Sequence, residues 1–219
     1  MKIHDVEQGT PEWFALRAGI PTASEFANLV TPNWKIRTGE MVESYLSRKL
    51  AERWRRSPLA GWSSGPMEQG SLREDEAIPY FEVRTGKQVK RIGFVTTDDG
   101  RWGCSPDGLL ADGTGIEVKC PEPQTQVKYL LSGEIPAQYA AQVQGSMLVT
   151  GAASWTFFSF CRGFPALMLT VERNASAIDA LVKALESFCD HLDDAYSELV
   201  HLYGGEPDKD ADLPGALGF

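Results

Sequence analysis

The chain has 219 residues and a formal net charge of -9, with 42% hydrophobic and 23% charged residues, enough for one large domain with its own core. No apolar run reaches the length of a membrane span, and the opening Met1-Lys-Ile-His-Asp-Val-Glu7 is no signal peptide, so a soluble cytoplasmic protein is expected. Cys104, Cys120, Cys161 and Cys189 form no CxxC pair, which argues against a zinc site or a disulfide framework.

Thr10-Pro11-Glu12 predicts a helix start, with Thr10 as N-cap and proline in the first turn. That helix carries Trp13, Phe14, Leu16 and Arg17, and Gly19 closes it. Thr22-Ala-Ser-Glu25 has the capping-box pattern and predicts a second short helix over Phe26 and Leu29, stopped by Pro32. A longer helix is predicted from about Thr38 to Arg56, with Met41, Val42, Tyr45, Leu46, Leu50 and Trp54 at helical spacing. Residues 57–66 read as a loop, and a third long helix as Met67 to Thr85, with Pro79 as its weak point and Gly86 as its end.

The period then becomes strand-like. Val89 to Val95 reads as one strand, Asp98-Asp99-Gly100 as a turn and Trp102 to Cys104 as a second strand. Leu109-Leu110, the Asp112-Gly113 turn and Ile116 to Cys120 form a further hairpin. Helices return at about Gln124–Leu131 and Pro136–Val149. Strands follow at Trp155–Cys161 and Ala166–Val171, then a long amphipathic helix from Ala175 to Tyr203. The order predicts an α/β domain over residues 1–203, a small mixed β-sheet flanked by helices, followed by a disordered tail over 204–219.

The densest strand region carries the best candidate chemistry. Glu117 and Lys119 are two apart and so share one face of a strand, while Asp107 sits in a Ser105-Pro-Asp-Gly108 turn just before it. Two carboxylates can hold a hard divalent cation, with the Val118 carbonyl as a further oxygen. A neighbouring lysine can orient or deprotonate water, or stabilise charge on a phosphate. The same spacing also suits an ordinary exposed hairpin with a surface ion pair. Glu74, on the preceding helix, is a fourth candidate group and a further acid, and alternatively part of a solvated face.

The charge is unevenly spread. Residues 172–219 hold 3 basic and 11 acidic residues, and the rest of the chain is nearly neutral. Lys35 to Arg56 and Arg84 to Arg91 are basic groups that could line a phosphate channel or could be solvated helix faces. His4, His191 and His201 form no catalytic triad pattern, and neither GxxxxGK[ST] nor GxGxxG occurs.

Five blocks in order resemble bacteriophage lambda exonuclease and the YqaJ-type viral recombinases of the PD-(D/E)xK nuclease superfamily. They are Gln8-Gly-Thr-Pro-Glu-Trp-Phe-Ala-Leu-Arg17 running on to Ser24, Gly70-x-x-x-Glu74, Gly103-Cys-Ser105-Pro-Asp107-Gly, Ile116-Glu117-Val-Lys119-Cys-Pro121, and Tyr139-Ala-Ala-Gln142-Val-Gln144 to Thr150. The resemblance implies a restriction-endonuclease-like core and a magnesium-dependent 5′-to-3′ exonuclease on linear double-stranded DNA, with manganese as a substitute metal. It implies 3′ overhangs for a single-strand annealing partner, a ring-shaped homotrimer, and a phage or prophage origin. By the same resemblance Asp107 and Glu117 hold metal, Lys119 is the catalytic lysine and Glu74 acts with them. Arg17, Ser24, Ser105 and Gln142 fall where the family binds a 5′-terminal phosphate. An endonuclease of the same fold and a noncatalytic DNA-binding recombination protein are the alternatives.

Overall fold

The computed structural model describes residues 1–59 and 65–203, the side chains of 65–74 excepted. In chain order the elements are β1 (Lys2–His4), α1 (Pro11–Arg17), α2 (Glu40–Arg55), α3 (Gly65–Thr85), β2 (Val89–Lys90), β3 (Phe94–Thr96), β4 (Gly103–Cys104), β5 (Gly108–Leu110), β6 (Gly115–Lys119), α4 (Pro123–Ser132), α5 (Ala137–Thr150), β7 (Ser154–Ser159), β8 (Leu167–Glu172) and α6 (Ala175–Tyr203). The predicted tail lies outside the described residues.

The central pair is β6 and β7, parallel from Gly115↔Trp155 to Lys119↔Ser159. Ile116, Val118, Trp155, Phe157 and Phe158 on these strands are buried, because helices cover both faces, and neither strand shows polar alternation. A parallel pair needs a long crossover, and α4 and α5 supply it. The remaining pairs are antiparallel, giving a mixed five-stranded sheet of order β2-β5-β6-β7-β8. The predicted small mixed sheet between helices is therefore present.

A second sheet, β1-β3-β4, is antiparallel. The single strand expected over Val89–Val95 is in fact two, β2 in one sheet and β3 in the other. The chain changes sheets at Gly93, where a Cβ would stand only 1.9 Å from the Val6 carbonyl oxygen. Only glycine passes so close to another backbone. β1 was not anticipated, since three mostly exposed residues leave too little pattern to read.

Thr10 caps α1 as expected, accepting from the Trp13 amide, and Pro11 opens it. The capping box is different. Residues Ala23–Asn28 form a 3-10 helix, and Thr22 makes no side-chain cap bond. Glu25 is instead drawn inward by α2, where Lys49 Nζ lies 2.9 Å and Arg48 Nη2 2.8 Å from its carboxylate. Lys49 also meets Glu52 at 2.9 Å, and both are buried, whereas Met41 is 49% exposed. The buried face of α2 is thus partly ionic rather than the apolar stripe the spacing suggested. α3 starts two residues earlier than expected and continues through Pro79. The predicted loop over 57–66 falls partly on residues outside those described.

α6 packs along α2 and α5 and closes the main core through Leu181, Leu185, Phe188 and Leu192, with Phe188 stacked on Tyr45 at 4.8 Å. Among the described residues no helix is long and apolar enough to cross a membrane.

Candidate active site

Asp107 leaves the turn that feeds β5, and Glu117 and Lys119 project from β6 across the hairpin. Asp107 Oδ2 accepts from the Val118 amide at 2.6 Å, so the turn is tied to the strand that carries the other two groups. Glu117 Oε1 meets Lys119 Nζ at 2.5 Å and accepts from Gln142 Nε2 at 2.6 Å. The shared face expected from the two-residue spacing is therefore realised. The surface-hairpin alternative fails for Glu117, whose side chain is 1% exposed, while Lys119 keeps 25% exposure.

Burial pushes the Glu117 carboxyl up, to about 7, with nearby Asp107 adding to it and Lys119 and Gln142 opposing. Burial likewise raises Asp107 against the pull of Lys119 and the Val118 amide. For Lys119 burial alone would lower the ammonium, but Glu117 and Asp107 outweigh it and hold it above its ordinary value. A lysine held in that state donates hydrogen bonds and positive charge, and does not take a proton from water at neutral pH.

Two features suit a hard cation. Glu117 Oε2 is buried with no hydrogen-bond partner, an arrangement that is costly unless something completes it. The neighbouring group within electrostatic reach, Asp107, is a second carboxylate, and oxygen donors of this kind suit a hard cation. Among the described residues no group of three or more His, Cys, Asp or Glu side chains forms a metal cluster. Glu74 lies on α3, and its side chain is outside the described residues.

The second group of candidates assembles around Arg17, the last residue of α1, which is 8% exposed. Arg17 Nη1 donates to Ser105 Oγ at 2.7 Å and Nη2 to Thr22 Oγ1 at 3.4 Å. Thr22 Oγ1 lies 3.3 Å from Ser24 Oγ, so Arg17, Ser105 and Ser24 belong to one network. The guanidinium stacks 4.1 Å from the Trp13 ring centre. Burial lowers it to about 10, against the raising effect of Glu25 and other groups. Among the described residues no carboxylate lies within ion-pairing distance of it.

Gln142 does not join that network. It sits on α5 and bonds to Glu117 instead. Cys104 lies within electrostatic reach of both halves. Burial and Glu117 raise its thiol, and Arg17 lowers it.

Three further groups support the site in roles that the sequence patterns did not indicate. Gln8 Nε2 donates to the carbonyls of Ile92 at 2.7 Å and Pro106 at 2.8 Å, pinning the turn between Ser105 and Asp107. Thr22 links Arg17 to Ser24. Lys49 and Glu52 hold the same loop from below, with Glu52 Oε2 accepting from the Gly19 amide at 3.2 Å. Gln8 and Thr22 both lie within the first block of the resemblance, whereas the pairing of Lys49 with Glu52 had no signal in the sequence.

Residues 12–153 match the family model of the YqaJ-like viral recombinase domain. The fold superposes on the crystal structure of an alkaline exonuclease (LHK-Exo) from Laribacter hongkongensis with a TM-score of 0.80 at 25% identity, covering 89% of this chain and 98% of that one. The same exonuclease in complex with dAMP gives 0.80 at 26% identity, with the same coverage. A phage related exonuclease from Haemophilus somnus 129PT shares the fold, with a TM-score of 0.61 at 13% identity over 82% of this chain and 96% of that one. No curated protein matches the sequence.

Proposed function

The chain belongs to the YqaJ-like viral recombinase family, and from that premise we propose that it is a magnesium-dependent 5′-to-3′ exonuclease. It degrades one strand of linear double-stranded DNA and leaves 3′ overhangs. The fold it shares with the alkaline exonuclease supports a nuclease. The observation that carries the exonuclease reading is the buried Arg17. It is bonded to neutral hydroxyls and has no carboxylate partner among the described residues, so an anion completes it. A 5′-terminal phosphate is such an anion.

In this reading Arg17, Ser105 and Ser24 hold the terminal phosphate, and the Ser105-Pro106-Asp107 turn connects that grip to the hydrolytic groups. Magnesium held by Asp107, Glu117 and the Val118 carbonyl would supply Lewis acidity toward the scissile phosphate and a lowered pKa for water. Gln142 and Lys119 occupy Glu117 Oε1 and fix its carboxylate plane, leaving Oε2 for the cation. Lys119, kept charged by its two carboxylate neighbours, stabilises negative charge developing on the phosphate or orients the attacking water. Glu74 acts alongside them. Manganese can replace magnesium, since it accepts the same oxygen donors. A homotrimeric ring around duplex DNA, a single-strand annealing partner, and action in the bacterial cytoplasm on behalf of a phage or prophage complete the proposal.

Digestion of end-labelled linear duplex, with and without a 5′-phosphate, tests polarity, end preference and metal together. The expected result is release from the 5′ strand, faster from phosphorylated ends, in magnesium but not in chelator. Calcium should bind and support little turnover, because its coordination is looser. Cutting of covalently closed circles at a comparable rate would instead identify an endonuclease of the same fold.

A further inference from the structure

Ser105 Oγ has two contacts recorded in the structure, and both come from groups that can only donate. Arg17 Nη1 approaches at 2.7 Å and the Trp13 indole Nε1 at 3.0 Å. A serine hydroxyl has two lone pairs and one proton. With both lone pairs facing N–H donors, the hydroxyl proton must turn away from Trp13 and Arg17. Among the described residues it has no acceptor.

Trp13 is held rigidly enough to impose this. It is 5% exposed, its ring lies under the Arg17 guanidinium at 4.1 Å and meets Phe14 edge-on at 4.8 Å. Its N–H is shared between Ser105 and the Gly93 carbonyl, also at 3.0 Å. Gly93 is the residue at which the chain changes sheets against Val6, so its carbonyl is fixed by backbone packing.

We infer that Trp13 is a positioning residue for end recognition: with Arg17 it fills both lone pairs of the Ser105 hydroxyl and leaves that oxygen's single proton for a terminal phosphate. The inference rests on the reading of Arg17 and Ser105 as the pocket for that phosphate. It adds that Ser105 is an obligate donor there, and that an acidic, acceptor-only group is preferred over a neutral hydroxyl because the bond is then charge-assisted.

The test compares kcat/KM on duplexes with 5′-phosphate and 5′-hydroxyl ends for the parent, Trp13→Phe, Ser105→Ala and the double variant. Phenylalanine keeps an aromatic face under Arg17 and removes the N–H together with part of the ring, and benzothienylalanine at position 13 removes the N–H alone. The ratio of kcat/KM on phosphate ends to that on hydroxyl ends should fall about three- to tenfold in Trp13→Phe, the worth of one ordinary hydrogen bond. The double variant should lose no more preference than Ser105→Ala alone, because Trp13 acts through that hydroxyl. If Trp13→Phe does not fold, benzothienylalanine at position 13 replaces the N–H by sulfur in a ring of the same shape and is read the same way. A parent that prefers phosphate and a Ser105→Ala variant that loses that preference, with Trp13→Phe slowed equally on both ends or unchanged in preference, would overturn the role of Trp13 and leave the pocket standing. A parent without any end preference would remove the pocket itself, and this inference with it.

Discussion

At the scale of single residues, Glu117 is the most informative group. Its carboxyl is raised to about 7 by burial and by Asp107. A raised acid stabilises the fold while it is protonated, fully below its ordinary value of 4.5, and that contribution is lost as pH rises through about 7. Metal-free protein should therefore lose about 1 kcal/mol between pH 6 and pH 8 from this group alone. Glu117→Gln should remove that loss, so its melting temperature in chelator should fall less than the parent's over the same interval, while nuclease activity disappears. Scanning calorimetry of both proteins at the two pH values checks this. A parent and variant with parallel pH profiles would mean that the buried carboxylate is stabilised by something other than a metal. The chemistry of this residue was legible because Glu117, Lys119 and Asp107 lie within thirteen positions of one another. The Arg17–Ser105 bond was legible only through a resemblance, because it spans 88 positions and neither residue has a local pattern. Lys49 and Glu52 were hidden for a different reason. Periodicity counts a charged residue as solvated, and these two are buried because each neutralises the other.

Among the elements, α5 shows how a helix can bring a functional loop close. Gly145 faces the 3-10 helix over Ala23–Asn28, and a Cβ there would stand 2.4 Å from Cδ2 of Phe26, a fully buried ring with nowhere to move. Alanine is intrinsically better in a helix by about 1 kcal/mol. The overpacking it causes here should cost about 1–3 kcal/mol and prevail. Gly145→Ala should thus lower the urea midpoint despite the better helix former. It should also weaken the preference for phosphorylated ends, since Thr22 and Ser24 ride on the displaced segment. A stabilised variant would mean that the two helices have slack between them. Helices and strands were mostly readable, α6 from its first residue, because long amphipathic periods survive any context. The failures came where tertiary contact overrode the local pattern: the sheet change at Gly93, the three-residue β1, and a capping box whose glutamate was recruited by α2.

Across the whole molecule, charge separates into regions. The exposed side of α6 carries Glu186, Asp194 and Glu198, while Asp190 and Asp193 are engaged by Arg101 and Arg53. An acidic face of this kind repels a polyanion and leaves less acidic surfaces as the way in. Neutralising Glu186, Asp194 and Glu198 together should tighten binding to closed-circular duplex several-fold at low salt, with little effect once salt screens the field. Filter binding across a salt series measures it, and unchanged affinity at low salt would show that α6 plays no part in excluding DNA. The distance in sequence between Trp13 or Arg17 and Ser105 has one more consequence. Arg17, Thr22 and Ser24 are close in sequence, but the pocket lacks Ser105 until more than a hundred residues of a nascent chain are out of the ribosome. A complete grip on a DNA end is then acquired late in synthesis.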